Sequence, residues 1–370
     1  MTMNAKMLLL GLIASIPSLT QGQVADAYDF TDVIRLDPSP VKDQCATGTC
    51  WSYSTTSFIE SELQRQVGQT IDISEMYNVR MTYPEKVELY LRLHGLHQFG
   101  PGSLNHDVLH VMRHHGVVPE AAYSGLLDGN TEYDHGDLDE LLLAMVETAK
   151  ERKIAVNDLG FQRAVAGVLD AYLGVVPETF EVDGETHTPL SYRDALGLNP
   201  EKYVSLTSFT HHPYGESFIL EVPDNFSRQA FKNVEMMDLE AAVKAALDKG
   251  YTVAWDADVS EPGFSFRQGL AVLLPADMRS LKEASGQIPE PTVTPGNRQA
   301  GFDDFSTTDD HLMHIIGYAV DQDNDTFFIV KNSWGSENPH GGFQYVSLPY
   351  FRAKTISILL HQNGLPRDMR

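Results

Sequence analysis

Near Tyr251 the hydrophobic pattern of this 370-residue chain changes period, and that change limits the folds open to it. Upstream, apolar residues recur at helical spacing. Trp51, Phe58, Ile59, Leu63 and Val67 follow Cys50 as one approximate stripe, with Gly68 as a stop. Ser103 reads as the N-cap of a helix that runs to His115 and ends at Gly116. Residues 137–173 are helix-rich, and Asp238 to Leu247 form an amphipathic helix closed by Lys249-Gly250. Downstream the runs are strand-like: Tyr251–Trp255, Met313–Val320, Thr326–Val330, Phe343–Val346 and Thr355–Leu360. The Pro/Gly-rich stretch 276–308 reads as loop. A helical half followed by an antiparallel β half is an α+β arrangement, and 42% hydrophobic residues supply the core.

Each half carries one part of a reaction centre. Cys50 opens the first helix, where unpaired backbone N–H groups and the helix dipole favour a thiolate. Gln44, six residues earlier, brings a neutral N–H₂ donor of the kind a developing oxyanion needs. A thiol nucleophile also needs a histidine base, and the histidine an orienting group. His311 and His314 are the candidates for the base, and Asn332 for the orienter. Asp321-Gln322-Asp323-Asn324-Asp325 reads as a turn, and folding the chain there sets residue 311 opposite roughly residue 335. Trp334 then shields the His–Asn hydrogen bond from water. His311 and His314, three apart on a strand, point to opposite faces and make no metal pair.

At these residues the chain resembles the papain-like cysteine peptidases. Gln44, Cys50, His311 and Asn332 match that family's oxyanion-hole Gln, nucleophile, base and orienting Asn, and Thr47-Gly48-Thr49-Cys50-Trp51 loosely fits its signature. His311 is preferred as base because in the family pattern the base directly precedes the strand. His and Asn lie 261 and 282 residues after Cys50, against about 130–150 in papain itself. That spacing, with Gly100-Pro101-Gly102-Ser103 and Gly116-Val117-Val118-Pro119, resembles the bleomycin hydrolase and aminopeptidase C branch.

The resemblance implies a two-lobed fold, with the cleft between a helical lobe bearing Cys50 and a β-barrel-like lobe bearing His311. The expected limits are a signal peptide at 1–22, a mainly helical lobe at 23–235 and a mainly antiparallel β lobe at 236–370. It also implies peptide-bond hydrolysis through a Cys50 thioester without metal or organic cofactor, most simply by an aminopeptidase. The alternatives are an endopeptidase, an acyl-transferring transamidase, or a non-catalytic peptide-binding relative. Gly102 and Ser103 match a Gly-Gly pair that runs beside substrate backbone, and Trp334 joins them as an expected substrate-facing residue. In that branch a C-terminal arm offers its carboxylate to the substrate α-amine. Ten residues follow the last strand here, so another acidic residue takes that role or internal bonds are accepted. Branch members can form hexamers, which makes oligomerisation a property to test.

A net charge of −24 disfavours nucleic acid and anionic membrane surfaces as partners and leaves peptides as the expected ones. Lys6 followed by the apolar Met7–Ile16, Pro17 and Thr20-Gln21-Gly22 reads as a signal peptide cut near Gly22, with Ala25-Asp26-Ala27 as a second point. The mature protein is then expected to be periplasmic or secreted and not membrane-inserted. Two cysteines give no disulfide framework. Cys45 reads as a small buried thiol, or as the partner of Cys50 in a redox lock. His106, His110 and His114 share a helix face read as solvated rather than metal-binding. Asp256 and Asp258 are placed after a strand end, where facing the cleft and turn chemistry explain them equally well.

Overall fold

A computed structural model describes residues 24–127 and 129–370; the expected leader lies outside them. The helices are α1 (Cys50–Val67), α2 (Glu75–Arg92), α3 (Asn105–His114), α4 (Gly136–Arg152), α5 (Leu159–Leu173), α6 (Pro189–Ala195), α7 (Met236–Asp248), α8 (Pro295–Asp303) and α9 (Leu348–Lys354). The strands are β1 (Thr31–Arg35), β2 (Phe180–Val182), β3 (Glu185–His187), β4 (Tyr203–Thr207), β5 (Ser217–Ile219), β6 (Ala230–Asn233), β7 (Val253–Ala257), β8 (Phe264–Ser265), β9 (Leu270–Ala271), β10 (His311–Val320), β11 (Thr326–Lys331), β12 (Phe343–Ser347) and β13 (Thr355–His361).

Helix α1 is the axis of the molecule. Every residue from Cys50 to Leu63 is buried, polar ones included, so it is a central helix rather than the one-sided helix its stripe suggested. Small hydroxyls make this tolerable because most find a partner, Ser61 Oγ being the exception among the described residues. Ser52 donates to the Glu75 carbonyl (2.7 Å), Ser54 to the Met313 carbonyl (2.6 Å) and Thr55 to the Trp51 carbonyl (2.7 Å). Gly68 ends the helix at φ 71°, and its N–H reaches the Gln64 carbonyl. Phe58, Ile59 and Leu63 pack with Met76, Val79 and Tyr83 of α2 and with Leu104, Val108 and Met112 at α3. A second core, around Trp255, Phe328 and Tyr350, lies between the sheet and α7 and α9.

One sheet runs β5-β6-β4-β13-β7-β10-β11-β12-β9-β8, with β1 added on β10. All its pairs are antiparallel except β4–β6 and β9–β12. Strand β10 is its hub, pairing with β1, β7 and β11. Gly317 allows this, since a Cβ there would run into the Ile34 carbonyl of β1. The β10–β11 register is His314 opposite Lys331 and Tyr318 opposite Phe328, within a step of the expected fold about Asp323. Strands β1 and β4–β6 come from the segment expected to be helical and still join this sheet, so the two halves interleave. The expected loop at 276–308 contains α8, whose Thr294 caps Asn297 behind Pro295. Among the described residues no helix is long and apolar enough to cross a membrane.

Candidate active site

Two loops and two element ends build the site. The segment before α1 is tied to the one after β11: the Gln44 N–H donates to the Ser333 carbonyl (2.9 Å), and Asp43 bridges Trp334. The Gln44 amide is fixed at both ends, Nε2 donating to the Thr47 carbonyl (2.8 Å) and Oε1 accepting from Ser333 Oγ (2.7 Å). Cys45 sits in the left-handed region at φ 53°, a conformation that favours glycine. Its thiol and that of Cys50 are both free, and Cys45 is half-buried rather than packed away.

His311 opens β10 as Cys50 opens α1, and Ser54 on the first turn of α1 donates to the Met313 carbonyl of β10. The starts of helix and strand, with thiol and imidazole, thus lie side by side. His311 Nε2 lies 2.8 Å from Asn332 Oδ1, and Asn332 Nδ2 donates to Gln344 Oε1 at 2.7 Å. That second bond orients the Asn332 amide, so its oxygen accepts from Nε2–H and Nδ1 is left to take a proton from the thiol. Trp334 stacks on His311 with ring centroids 4.4 Å apart and is flanked by Phe264 and Phe266. His314 points elsewhere: it is buried, 2.9 Å from Ser57 Oγ on α1. Lys331 also donates to that hydroxyl (2.8 Å), so α1 and the hairpin are pinned together beneath the site.

On the other side, Gly100-Pro101-Gly102 is held by Lys86 of α2, whose buried Nζ donates to all three carbonyls. Trp51 Nε1 donates to the Pro101 carbonyl (3.1 Å). A Cβ at Gly102 would run into the carboxylate of Asp224. Ser103 does not cap α3; the Asp107 carboxylate accepts from the Leu104 N–H instead, and Ser103 Oγ is buried without a partner among the described residues.

Several further expectations change. His106 is buried against Phe231, 2.9 Å from Ser227 Oγ, because the segment before β6 covers a face read as solvated. His110 and His115 contact Glu85 instead. Asp258 is a turn residue, accepting from the Ser260 and Thr308 N–H groups, but Asp256 lies inside β7, fully buried and opposite Leu312. Sequence reasoning missed Lys86, Asp224 and Asp309. Asp309 alone had a visible signal, two residues before His311.

Burial sets the resting charge state. It pushes the Cys50 thiol up to about 12 against the Leu312 N–H, and Asp309, Asp224 and Asp256 push the same way. It also holds His311 down at about 4, against its bond to Asn332 and the charge of Asp310. The resting pair is thus thiol and neutral imidazole, where the helix-start argument alone had given a standing thiolate.

A helix-borne thiol, a strand-borne imidazole, an amide orienter and a glutamine beside the nucleophile, set between helices and a sheet, are the site and fold of a papain-like cysteine peptidase. The chain belongs to the Peptidase C1-like family, whose profile matches residues 105–370. It is 23% identical to Aminopeptidase G of Lactobacillus delbrueckii subsp. lactis, the alignment covering 91% of this chain and 84% of the relative. Aminopeptidase W of the same organism is 22% identical, with coverages of 94% and 86%. The crystal structure of PepW from Lactobacillus rhamnosis HN001 superposes with a TM-score of 0.68 at 18% identity, over 92% of this chain and 83% of that one.

Proposed function

We propose that the chain is an exported cysteine aminopeptidase. The observation that carries the catalytic part is the fixed His311–Asn332 pair at the start of β10, against which the first turn of α1 with Cys50 is bonded through Ser54. Cys50 attacks the scissile carbonyl as His311 Nδ1 takes the thiol proton. The Cys50 backbone N–H and Gln44 Nε2 stabilise the tetrahedral oxyanion. Protonated His311 gives its proton to the leaving amine, a thioester remains, and His311 then draws a proton from water to release the acid. Gly102 and Ser103 supply backbone along which the peptide lies, and Trp334 keeps water off the His–Asn bond.

Action at the N-terminus is supported by the relatives named aminopeptidases over more than nine-tenths of this chain. Export is supported by the leader-like sequence at 1–22 alone; N-terminal sequencing of protein recovered from its host tests it. For the chemistry, Cys50→Ala is expected to lower kcat/KM on aminoacyl amides by on the order of 10³-fold or more with an unchanged melting temperature. Turnover near wild type in that variant would remove Cys50 from the mechanism. A thiol-directed covalent probe that labels wild type and not the variant excludes a purely binding relative, and product analysis with and without added amine separates hydrolysis from transamidation.

A further inference from the structure

Around the nucleophile the cleft holds more negative charge than the reaction just described uses. Asp309 lies two residues before His311, and neither of its carboxylate oxygens has an N–H or O–H partner among the described residues, though both are buried. Asp256 sits opposite Leu312 in the β7–β10 ladder, fully buried; its Oδ2 accepts from Ser357 Oγ (3.1 Å) while Oδ1 is unpartnered. These two carboxyls are close enough to share a proton. Asp224 arrives from the other lobe, packed on Gly102, with Gln98 Nε2 at 3.3 Å. The fields of all three fall on the Cys50 thiol, and the field of Asp224 falls on the other two. Lys86 faces Asp224, but its ammonium is already committed to three backbone carbonyls. A shared proton joins Asp256 to Asp309, and the negative charge and open oxygens that remain at this buried site are costly unless a cation arrives to meet them.

We propose that Asp309 and Asp256, with Asp224 on Gly102, form a subsite for the α-ammonium of the substrate's first residue. This rests on the aminopeptidase reading and supplies the anchor that reading lacks. An α-ammonium is two bonds from the scissile carbonyl carbon, so its counter-charge must stand beside the nucleophile, where these carboxylates are. A lysine or arginine side chain would carry its charge several bonds further out. Occupancy has a second effect. The three carboxylates oppose ionisation of Cys50, and a cation among them cancels that opposition. A peptide with a free N-terminus therefore both docks and readies the thiol, while a blocked peptide does neither.

The test compares wild type, Asp309→Asn and Asp224→Asn on one aminoacyl fluorogenic amide and its N-acetyl counterpart. Wild type is expected to prefer the free amine by about 100-fold or more in kcat/KM. Asp309→Asn should lower that ratio at least tenfold through the free-amine substrate, and Asp224→Asn should lower it less. Both variants replace a charge at constant volume, and either alone suffices if the other fails to fold. If wild type prefers free amines and both variants keep that preference, the anchor lies elsewhere and the aminopeptidase reading stands. If wild type cleaves both substrates equally, that reading falls and takes the subsite with it. Selective cleavage of N-acetyl peptides with arginine one residue before the cleaved one, lost in Asp309→Asn, would reassign the acids to a side chain and overturn the proposal.

Discussion

On one side of α1, Lys42 and Lys331 meet Glu60 and Glu75; on the other, Asp224, Asp256 and Asp309 gather around Cys50 with Lys86 nearby. In the first group charge is matched and bonded. Lys42 Nζ reaches both Glu75 oxygens (2.9 and 2.8 Å) and Asp72 (2.6 Å), Glu60 accepts from the Ile73 N–H (2.9 Å), and Lys331 is held by Ser39 and Ser57. In the second, carboxylates face each other and leave oxygens empty. Matched buried charge fixes how parts fit together, while unmatched buried charge waits for something to bind. Structural and functional acids are told apart here by their partners, not by their burial.

The contrast breaks most sharply if charge is removed from each group in turn. Lys42→Met leaves Glu75 and Glu60 buried without their main cation and is expected to destabilise by about 3–5 kcal/mol, read as a lower urea midpoint. A midpoint equal to wild type would mean that the matched group does not hold α1 in place. Asp256→Asn should act in the opposite direction, increasingly as pH rises. Burial raises Asp256 to about 7, above its unfolded value near ~3.9. The folded protein therefore binds the extra proton between those values, and this residue's contribution to stability falls as pH rises towards 7. Buried His311, held near 4, gives the opposite slope below pH ~6.5, so the difference between variant and wild type is the informative quantity. At about pH 3.5, below both values, the two should be equally stable. At pH 8.5 the variant should be more stable by about 1–3 kcal/mol, the ordinary cost of a buried polar group without a partner. A difference independent of pH would mean that Asp256 does not titrate in the fold.

Legibility in the sequence followed the range of the contacts. Helix α1 from Cys50 to Val67 and the β10–β11 hairpin were readable because local spacing, a glycine stop and one turn define them, and with them came Gln44, Cys50, His311 and Asn332. Helix α2 was not: Met76, Val79, Tyr83, Val87 and Tyr90 form a buried stripe, but Pro84 interrupts it and removes an N–H in mid-helix. Strands β4 to β6 are short and exist because β13 offers an edge 150 residues later. The burial of His106 depends on Ser227 and Phe231, and the placement of Asp224 on its contact with Gly102. Neither pairing leaves a local mark. The candidate chemistry was visible and the surroundings that would tune it were not, because a thiol and an imidazole are recognised by residue type while a field is set by whatever the fold gathers near them.

The smallest expected effect concerns a neutral group in the same cleft. Ser103 Oγ is fully buried and without a partner among the described residues, yet carries no charge. Removing a buried hydroxyl without a partner relieves its desolvation cost, so Ser103→Ala should raise stability by about 1 kcal/mol, the low end of that cost for a neutral group. If the hydroxyl pairs with peptide backbone when substrate arrives, that bond is made equally in ground and transition states. KM should then rise a few-fold, the worth of about 1 kcal/mol, with kcat unchanged. The shift should be the same for free and N-acetylated peptides, since a hydroxyl does not distinguish their charge, and this separates it from Asp309. An unchanged KM on both would make Ser103 a spacer, and would confine ligand-directed polarity in this cleft to the carboxylates.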